Sequence, residues 1–154
     1  MLTVPKTSST KPALDNGHWI FPEQMGGKEY SGFVYLIRDN YMGRFYLGKK
    51  SYRSTRGAKA GQEMNWRYYK SSSKLLKEML GERPKSEFDF FVLEQYRTKG
   101  TLSYAETWSL CYVEAPTSEL WYNHLIEKVS WRVKEPISER HKIRLNKIIN
   151  MEQP

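Results

Sequence analysis

Apolar and polar residues alternate most clearly between residues 33 and 49, where two β-rich runs flank a polar turn. Phe33-Val34-Tyr35-Leu36-Ile37-Arg38 and Phe45-Tyr46-Leu47-Gly48-Lys49 enclose turn residues from Asp39 to Gly43, which predicts a β-hairpin. With Arg38 paired to Gly43 around a four-residue loop, Tyr35 stands opposite Tyr46, and both phenols project from one face. Ser71-Ser72-Ser73 supplies an N-cap for a short helix over residues 74–80, closed by Gly81. Phe88-Asp89-Phe90-Phe91-Val92-Leu93-Glu94 predicts a third, mostly buried strand, and Gly100 breaks the chain after it. A helix from Ser103 to about Glu114 ends at Ala115-Pro116, and Ser138 opens a last one running to about Asn150. Residues 119–129 fit helix or strand. Residues 1–30 lack periodicity and are rich in Ser, Thr, Lys, Pro and Gly, which predicts a flexible arm. Its apolar patch, His18-Trp19-Ile20-Phe21-Pro22, could still dock on the domain.

Length and composition narrow the class. A chain of 154 residues builds one ordinary core. A mean hydropathy of -0.73 without a long apolar run excludes a membrane-spanning helix. The start, Met1 to Lys6, lacks a basic region leading into an apolar stretch, so no secretory signal is expected and the cytoplasm is the expected location, the host's if a phage encodes the chain. One cysteine, Cys111, and three scattered histidines exclude an internal disulfide and a Cys/His zinc cage. Cys111, beside Leu110 in the middle of a predicted helix, is expected to be buried. His18, His124 and His141 have no ligand spacing and are assigned no role.

Charge changes the picture more than length does. The net charge is +8, with eleven tyrosines, a balance suited to a polyanion partner because cations hold phosphates and rings stack on bases. It is unevenly spread. Residues 31–85 hold thirteen Lys/Arg against four acids, residues 86–130 three against seven, and residues 131–154 six against three. A basic first half suits phosphate, and the acidic stretch offers carboxylates to a metal.

The motifs arrive in an informative order. Gly32-Phe33-Val34-Tyr35 followed by Phe45-Tyr46-Leu47-Gly48-Lys49, with a spacing of eleven from Tyr35 to Tyr46, resembles the paired motif of the GIY-YIG nuclease superfamily. Residues 66–75, Ser103-Tyr104-Ala105-Glu106 and Tyr122-Asn123 are similar to later segments of phage-type members, so the resemblance covers roughly residues 31–124. The chain departs from the pattern in having Phe33-Val34 where the name motif has Gly-Ile.

That resemblance implies an α/β (α+β) fold, a small three-stranded antiparallel sheet flanked by helices. The nuclease domain spans residues 31–130, with the arm before it and a basic tail over 131–154. It implies a DNA endonuclease with Tyr35, Tyr46, Lys49, Arg56, Glu106 and Asn123 as catalytic residues and Glu106 as the ligand of Mg²⁺ or Mn²⁺. Arg56 is found by counting ten residues from Tyr46; Arg53 and Arg67 are its rivals. Lys50, Arg53, Arg67, Tyr69 and, on the tail helix, Arg140, Arg144 and Lys147 are the expected DNA contacts.

The residue types suit that chemistry. A divalent ion that keeps most of its water needs only one or two carboxylates, cations stabilise charge on phosphoryl oxygens, and a lysine near a tyrosine favours its phenolate. Plainer roles compete at each position. Tyr35 and Tyr46 also fit a cross-strand aromatic pair, Ser103 to Glu106 fits a capping box, and the loop arginines fit a solvated charge run. A catalytically silent nucleic-acid-binding protein and a genome-binding virion component are the alternative functions.

Overall fold

The computed structural model describes residues 13–54, 56–130 and 132–154. Three antiparallel strands, β1 (Gly32–Asp39), β2 (Arg44–Ser51) and β3 (Phe88–Tyr96), form one sheet in the order β2-β1-β3. Three α-helices accompany them: α1 (Lys74–Glu82), α2 (Lys99–Tyr112) and α3 (Glu139–Ile149). This is the expected fold class. No helix among the described residues is long and apolar enough to cross a membrane.

The central strand explains the layering. Every residue of β1 is buried, so both faces of the sheet are covered. Val34 and Leu36 join Leu47, Phe91 and Leu93 beneath α2 and α3, where Leu102, Ala105, Leu145 and Ile148 pack. Phe33, Tyr35 and Ile37 face the other way, into Trp19, Phe21, Trp66 and the Leu76 and Leu80 side chains of α1. The period-2 alternation of β1 thus divides two apolar clusters between two faces.

The hairpin forms in a different register from the one expected. Asp39 pairs with Arg44, so Tyr35 lies across from Gly48 and Ile37 across from Tyr46. The turn dictates this. The Asp39 carboxylate accepts from the amides of Tyr41 (3.1 Å) and Met42 (3.0 Å), while Gly43 takes φ +66° and donates to the Asp39 carbonyl. An even slip preserves the face, so Tyr35 and Tyr46 remain diagonal neighbours with ring centroids 6.3 Å apart.

Residues 13–30 are not a flexible arm. Ile20 bridges to the outer edge of β3, donating to the Phe90 carbonyl (2.7 Å) and accepting from the Val92 amide (3.1 Å). Trp19 is buried, and its indole donates to the Trp66 carbonyl (2.7 Å). The patch at His18 to Pro22 therefore docks and covers a sheet edge. Residues 1–12 of the expected arm lie outside the described residues.

Several boundaries also move. Gly81 lies inside α1, which runs to Glu82 and stops because Arg83 precedes Pro84 and is extended. Gly100 does not break the chain but sits in the first turn of α2, whose N-cap is Thr98, accepting from the Thr101 amide (3.2 Å). Cys111 is exposed, on the outer face of α2. Residues 119–129 hold neither helix nor a named strand; Trp121 makes a single bridge to Phe45.

Candidate active site

The sheet's β2 edge is where chemistry gathers. A cavity of about 390 Å³ opens there, and its wall includes Tyr35, Tyr46, Lys49, Glu106, Asn123 and Glu127. It draws on both faces of the sheet. Tyr35 lies on the face packed by α1, whereas Lys49, paired with Val34, faces α2.

Tyr35 is 1% exposed, in ring contact with Trp19, Tyr46 and Tyr69. Its phenol lies over Gly48, where a Cβ would collide with the Tyr35 hydroxyl, so the glycine of the second motif makes room for the tyrosine of the first. Burial pushes the Tyr35 phenol well above its ordinary pKa; Tyr46, Tyr69 and Glu106 add to the rise, and a bond with the Ser71 hydroxyl opposes it. The expected phenolate is therefore not supported at Tyr35, which stands as a neutral donor. Tyr46, on the same face, is half-buried at the cavity wall.

Lys49 donates from Nζ to the Ser103 hydroxyl (2.7 Å). That bond fixes Ser103 in a role other than capping, and the Thr98 cap places Glu106 two turns into α2. The capping-box reading of Glu106 is thereby removed. Burial raises the Glu106 carboxyl to about 7; Glu127 adds to the rise, while the Lys49 charge and backbone amide oppose it. A half-buried carboxylate beside a second one is electrostatically short of a cation.

Asn123 is 8% exposed, and its amide is fully engaged by β2. Its Oδ1 accepts from the Leu47 amide (2.9 Å) and its Nδ2 donates to the Leu47 carbonyl (2.8 Å). It is thus a positioning residue. The neighbouring Tyr122 hydroxyl donates to Asp39 (2.7 Å), which Arg83 also grips with two bonds (2.6 and 2.7 Å). Burial works against the Asp39 charge, yet Arg83, the Met42 amide and Tyr122 outweigh it and hold the carboxyl at about 2. This network ties the hairpin turn, the end of α1 and the cavity wall together. The Tyr122-Asn123 dipeptide was visible in the sequence, but its partners Asp39 and Arg83 were not; nor was Glu127, which lies in a segment without periodicity.

The arginines stand elsewhere. After β2 the chain forms a loop with a 3-10 turn at Gly57–Lys59, and this leaves Arg56 exposed in a neighbouring cavity. Arg53 donates to the carbonyls of Gly26 (2.8 Å) and Tyr30 (3.4 Å). Arg67 pairs with Asp15 and Glu63. None of the three lines the central cavity. Lys50 sits 4.4 Å over the ring of Tyr69, which is half-buried between Tyr35 and that lysine.

The tail helix completes the core instead of presenting a basic face. Arg140 is bound to Glu23 (2.7 Å) and Glu94 (2.6 Å), and Arg144, 7% exposed, donates to the carbonyls of Val92 (2.7 Å) and Ile20 (3.1 Å). Lys147 alone of the three is exposed, on a helix packed against β3 at the opposite edge of the sheet from β2.

No group of three or more His, Cys, Asp or Glu side chains that could hold a metal occurs among the described residues. The donor set at the cavity is Glu106 with Glu127 nearby. These carboxylates fit a hard divalent ion that retains most of its water, and the exposed His124 lines the same cavity.

Comparison with known families places the chain in one of them. A model described as "Putative endonuclease segE, GIY-YIG domain" covers residues 19–126, from Trp19 in the docked N-terminal segment to just past Asn123. No curated protein and no solved structure matches the chain.

Proposed function

The chain belongs to the GIY-YIG endonuclease domain family, and from that premise we propose that it hydrolyses phosphodiester bonds in DNA with a divalent metal ion. The observation that carries the reading is Glu106, released from capping and held on the wall of a cavity shared with Lys49, Tyr35 and Tyr46.

Glu106 would hold Mg²⁺ or Mn²⁺, with Glu127 as the second carboxylate in reach. When bound, the ion supplies polarisation of the phosphoryl group and neutralises charge on the leaving oxygen. The chain's own residues do the rest. Lys49, anchored on Ser103, directs a positive charge into the cavity where phosphoryl oxygens gain charge. Tyr35, neutral and rigidly packed, donates a hydrogen bond from a fixed position. Tyr46, half-buried at the same wall, would act as general base in its ionised form, taking the proton of the attacking water. Asn123 sets the position of the β2 edge from which Tyr46 and Lys49 project.

Nicking of supercoiled plasmid DNA tests the reading. The protein with Mg²⁺ should nick, chelation should stop it, and Glu106→Gln should abolish nicking while keeping fold and DNA binding. Binding without metal-dependent nicking would leave a silent nucleic-acid-binding protein.

A further inference from the structure

A second cavity, of about 310 Å³, lies beside the first, and Lys49 lines both. The end of β2, the loop after it and the first residue of α2 build it, so that Lys49, Lys50, Arg53, Arg56 and Lys99 surround one space with Tyr69. No Asp or Glu is among its lining residues.

Several guanidiniums elsewhere are neutralised by carboxylates. Arg38, Arg67, Arg83 and Arg140 each have a carboxylate within 3.1 Å. Among the described residues, no ion pair reaches Lys49, Lys50, Arg53 or Arg56. Lys50 is partly withdrawn from water, which lowers its pKa, and among the described residues its ammonium meets the Tyr69 ring and, at 4.0 Å, the Met64 sulfur. Arg53 is fixed by backbone carbonyls, which orient the guanidinium without neutralising it. Like charges held together in a concave, partly desolvated wall repel one another until an anion enters.

We infer that this second cavity holds a phosphate of the DNA strand neighbouring the one being cut, with Lys49 at the seam of the two sites and Arg56 acting in binding, not in bond breaking. The inference rests on the nuclease reading. A strand carries a phosphate at every nucleotide, so an anion site that adjoins the first and shares a lysine with it suits the next phosphate along. A carboxylate or a lone inorganic anion offers no reason for a second site against the first. Among the described residues, no backbone carbonyl or carboxylate partners the side chain of exposed Arg56 or half-buried Lys50 to give it a structural role.

The test is the salt dependence of binding to a short fluorescein-labelled DNA duplex, measured by anisotropy in a Glu106→Gln background without metal. Lys50→Gln and Arg56→Gln should each lower the log-log salt slope by about 1, and the pair by about 2. Arg56→Lys should keep the slope, and Lys147→Gln, at the far edge of the sheet, should leave it unchanged. In the otherwise unaltered protein, Arg56→Gln should raise the DNA concentration needed for half-maximal single-turnover cutting. An unchanged slope in the Lys50/Arg56 pair overturns the inference, as does an equal fall with Lys147→Gln. So does a loss of single-turnover rate in Arg56→Gln with normal binding, which would return Arg56 to the chemistry. Failure of the unaltered protein to nick DNA with Mg²⁺ would instead overturn the cleavage reading and leave the slope result standing.

Discussion

The carboxamide of Asn123 stands in for a fourth strand at Leu47, returning both backbone hydrogen bonds that the edge of β2 would otherwise give to water. The chain reaches this point because Trp121 and its neighbours already bridge to Phe45, with the Phe45 amide donating to Leu120 and the Tyr122 amide to Phe45. Leu47 lies between Tyr46 and Lys49 on β2, so the edge that carries two cavity side chains is held by a residue 76 positions further along the chain.

Replacement of Asn123 separates positioning from contact. Asn123→Ala should cost roughly 1–2 kcal/mol by opening the Leu47 pair. Asn123→Asp should cost more, because a carboxylate oxygen then faces the Leu47 carbonyl. Both should lower kcat more than they weaken DNA binding. Urea melts beside single-turnover assays check this; unchanged stability in both variants would contradict the geometry.

Glu106→Gln tests the carboxylate without cleavage. The folded protein keeps the Glu106 proton up to about pH 7, whereas the unfolded chain releases it near the ordinary 4.5. Folding therefore binds the proton more tightly, and this group's contribution falls as pH rises from 4.5 to 7. The glutamine variant should match the parent near pH 4.5 and be more stable at pH 8, by up to about 3 kcal/mol. Mg²⁺ should raise the melting temperature of the parent at pH 8 and do little for the variant. Below pH 7 protons should compete with the ion, weakening it about tenfold per pH unit. A parent melting temperature indifferent to Mg²⁺ at pH 8 would remove Glu106 as its ligand.

Gly48 and Tyr35 should behave as one unit. Gly48→Ala pushes a methyl into a phenol that Trp19 and Tyr69 prevent from moving, at a cost of about 1–3 kcal/mol. Tyr35→Phe removes the oxygen the methyl meets, so the double variant should be more stable than the sum of the single changes predicts. Equilibrium unfolding of the four proteins closes the cycle; strict additivity would mean the two residues do not touch.

What the sequence disclosed was local. The β1 run, the Ser73 cap and the Ser138 cap each depend on residues within a few positions, and all appear as expected. The face shared by Tyr35 and Tyr46 followed from strand periodicity, but their register depended on the Asp39 side chain closing the turn. The N-terminal segment was misjudged because its order comes from distant partners, Trp66 for Trp19 and β3 for Ile20, which no periodicity within the segment announces. Charge misled at Arg140 and Arg144. A guanidinium that serves buried carbonyls or paired carboxylates has the same one-letter code as one that meets phosphate.

The last helix gives the acid limb of stability its cause. His141 is fully buried between Tyr96 and Ser109, and the network decides its tautomer. Ser109 donates to the Ala105 carbonyl (2.7 Å), so it accepts from His141 Nε2 (2.6 Å); Nδ1 in turn accepts from the Tyr96 hydroxyl (3.0 Å). A neutral imidazole satisfies every partner, and a second ring proton would have no acceptor at Nδ1 unless the Tyr96 hydroxyl turned away. Burial and the Lys142 charge lower the His141 pKa to about 3, and burial lowers that of His18 to about 4. Both values lie below the unfolded 6.5, so the stabilisation these groups give is complete above that pH and is lost as pH falls through 6.5 towards 4 and 3. The slope approaches about 1.4 kcal/mol per pH unit for each histidine, opposed above pH 4.5 by Glu106. His141→Gln should lower stability at pH 7 yet flatten the acid slope by up to one proton, as measured by urea unfolding at a series of pH values. Truncation after Val133, which removes α3 with Leu145 and Ile148, should abolish a cooperative melt altogether. A truncated chain that still melts cooperatively, or an acid slope unchanged in His141→Gln, would mean that α3 is an appendage and not the closing layer of the core.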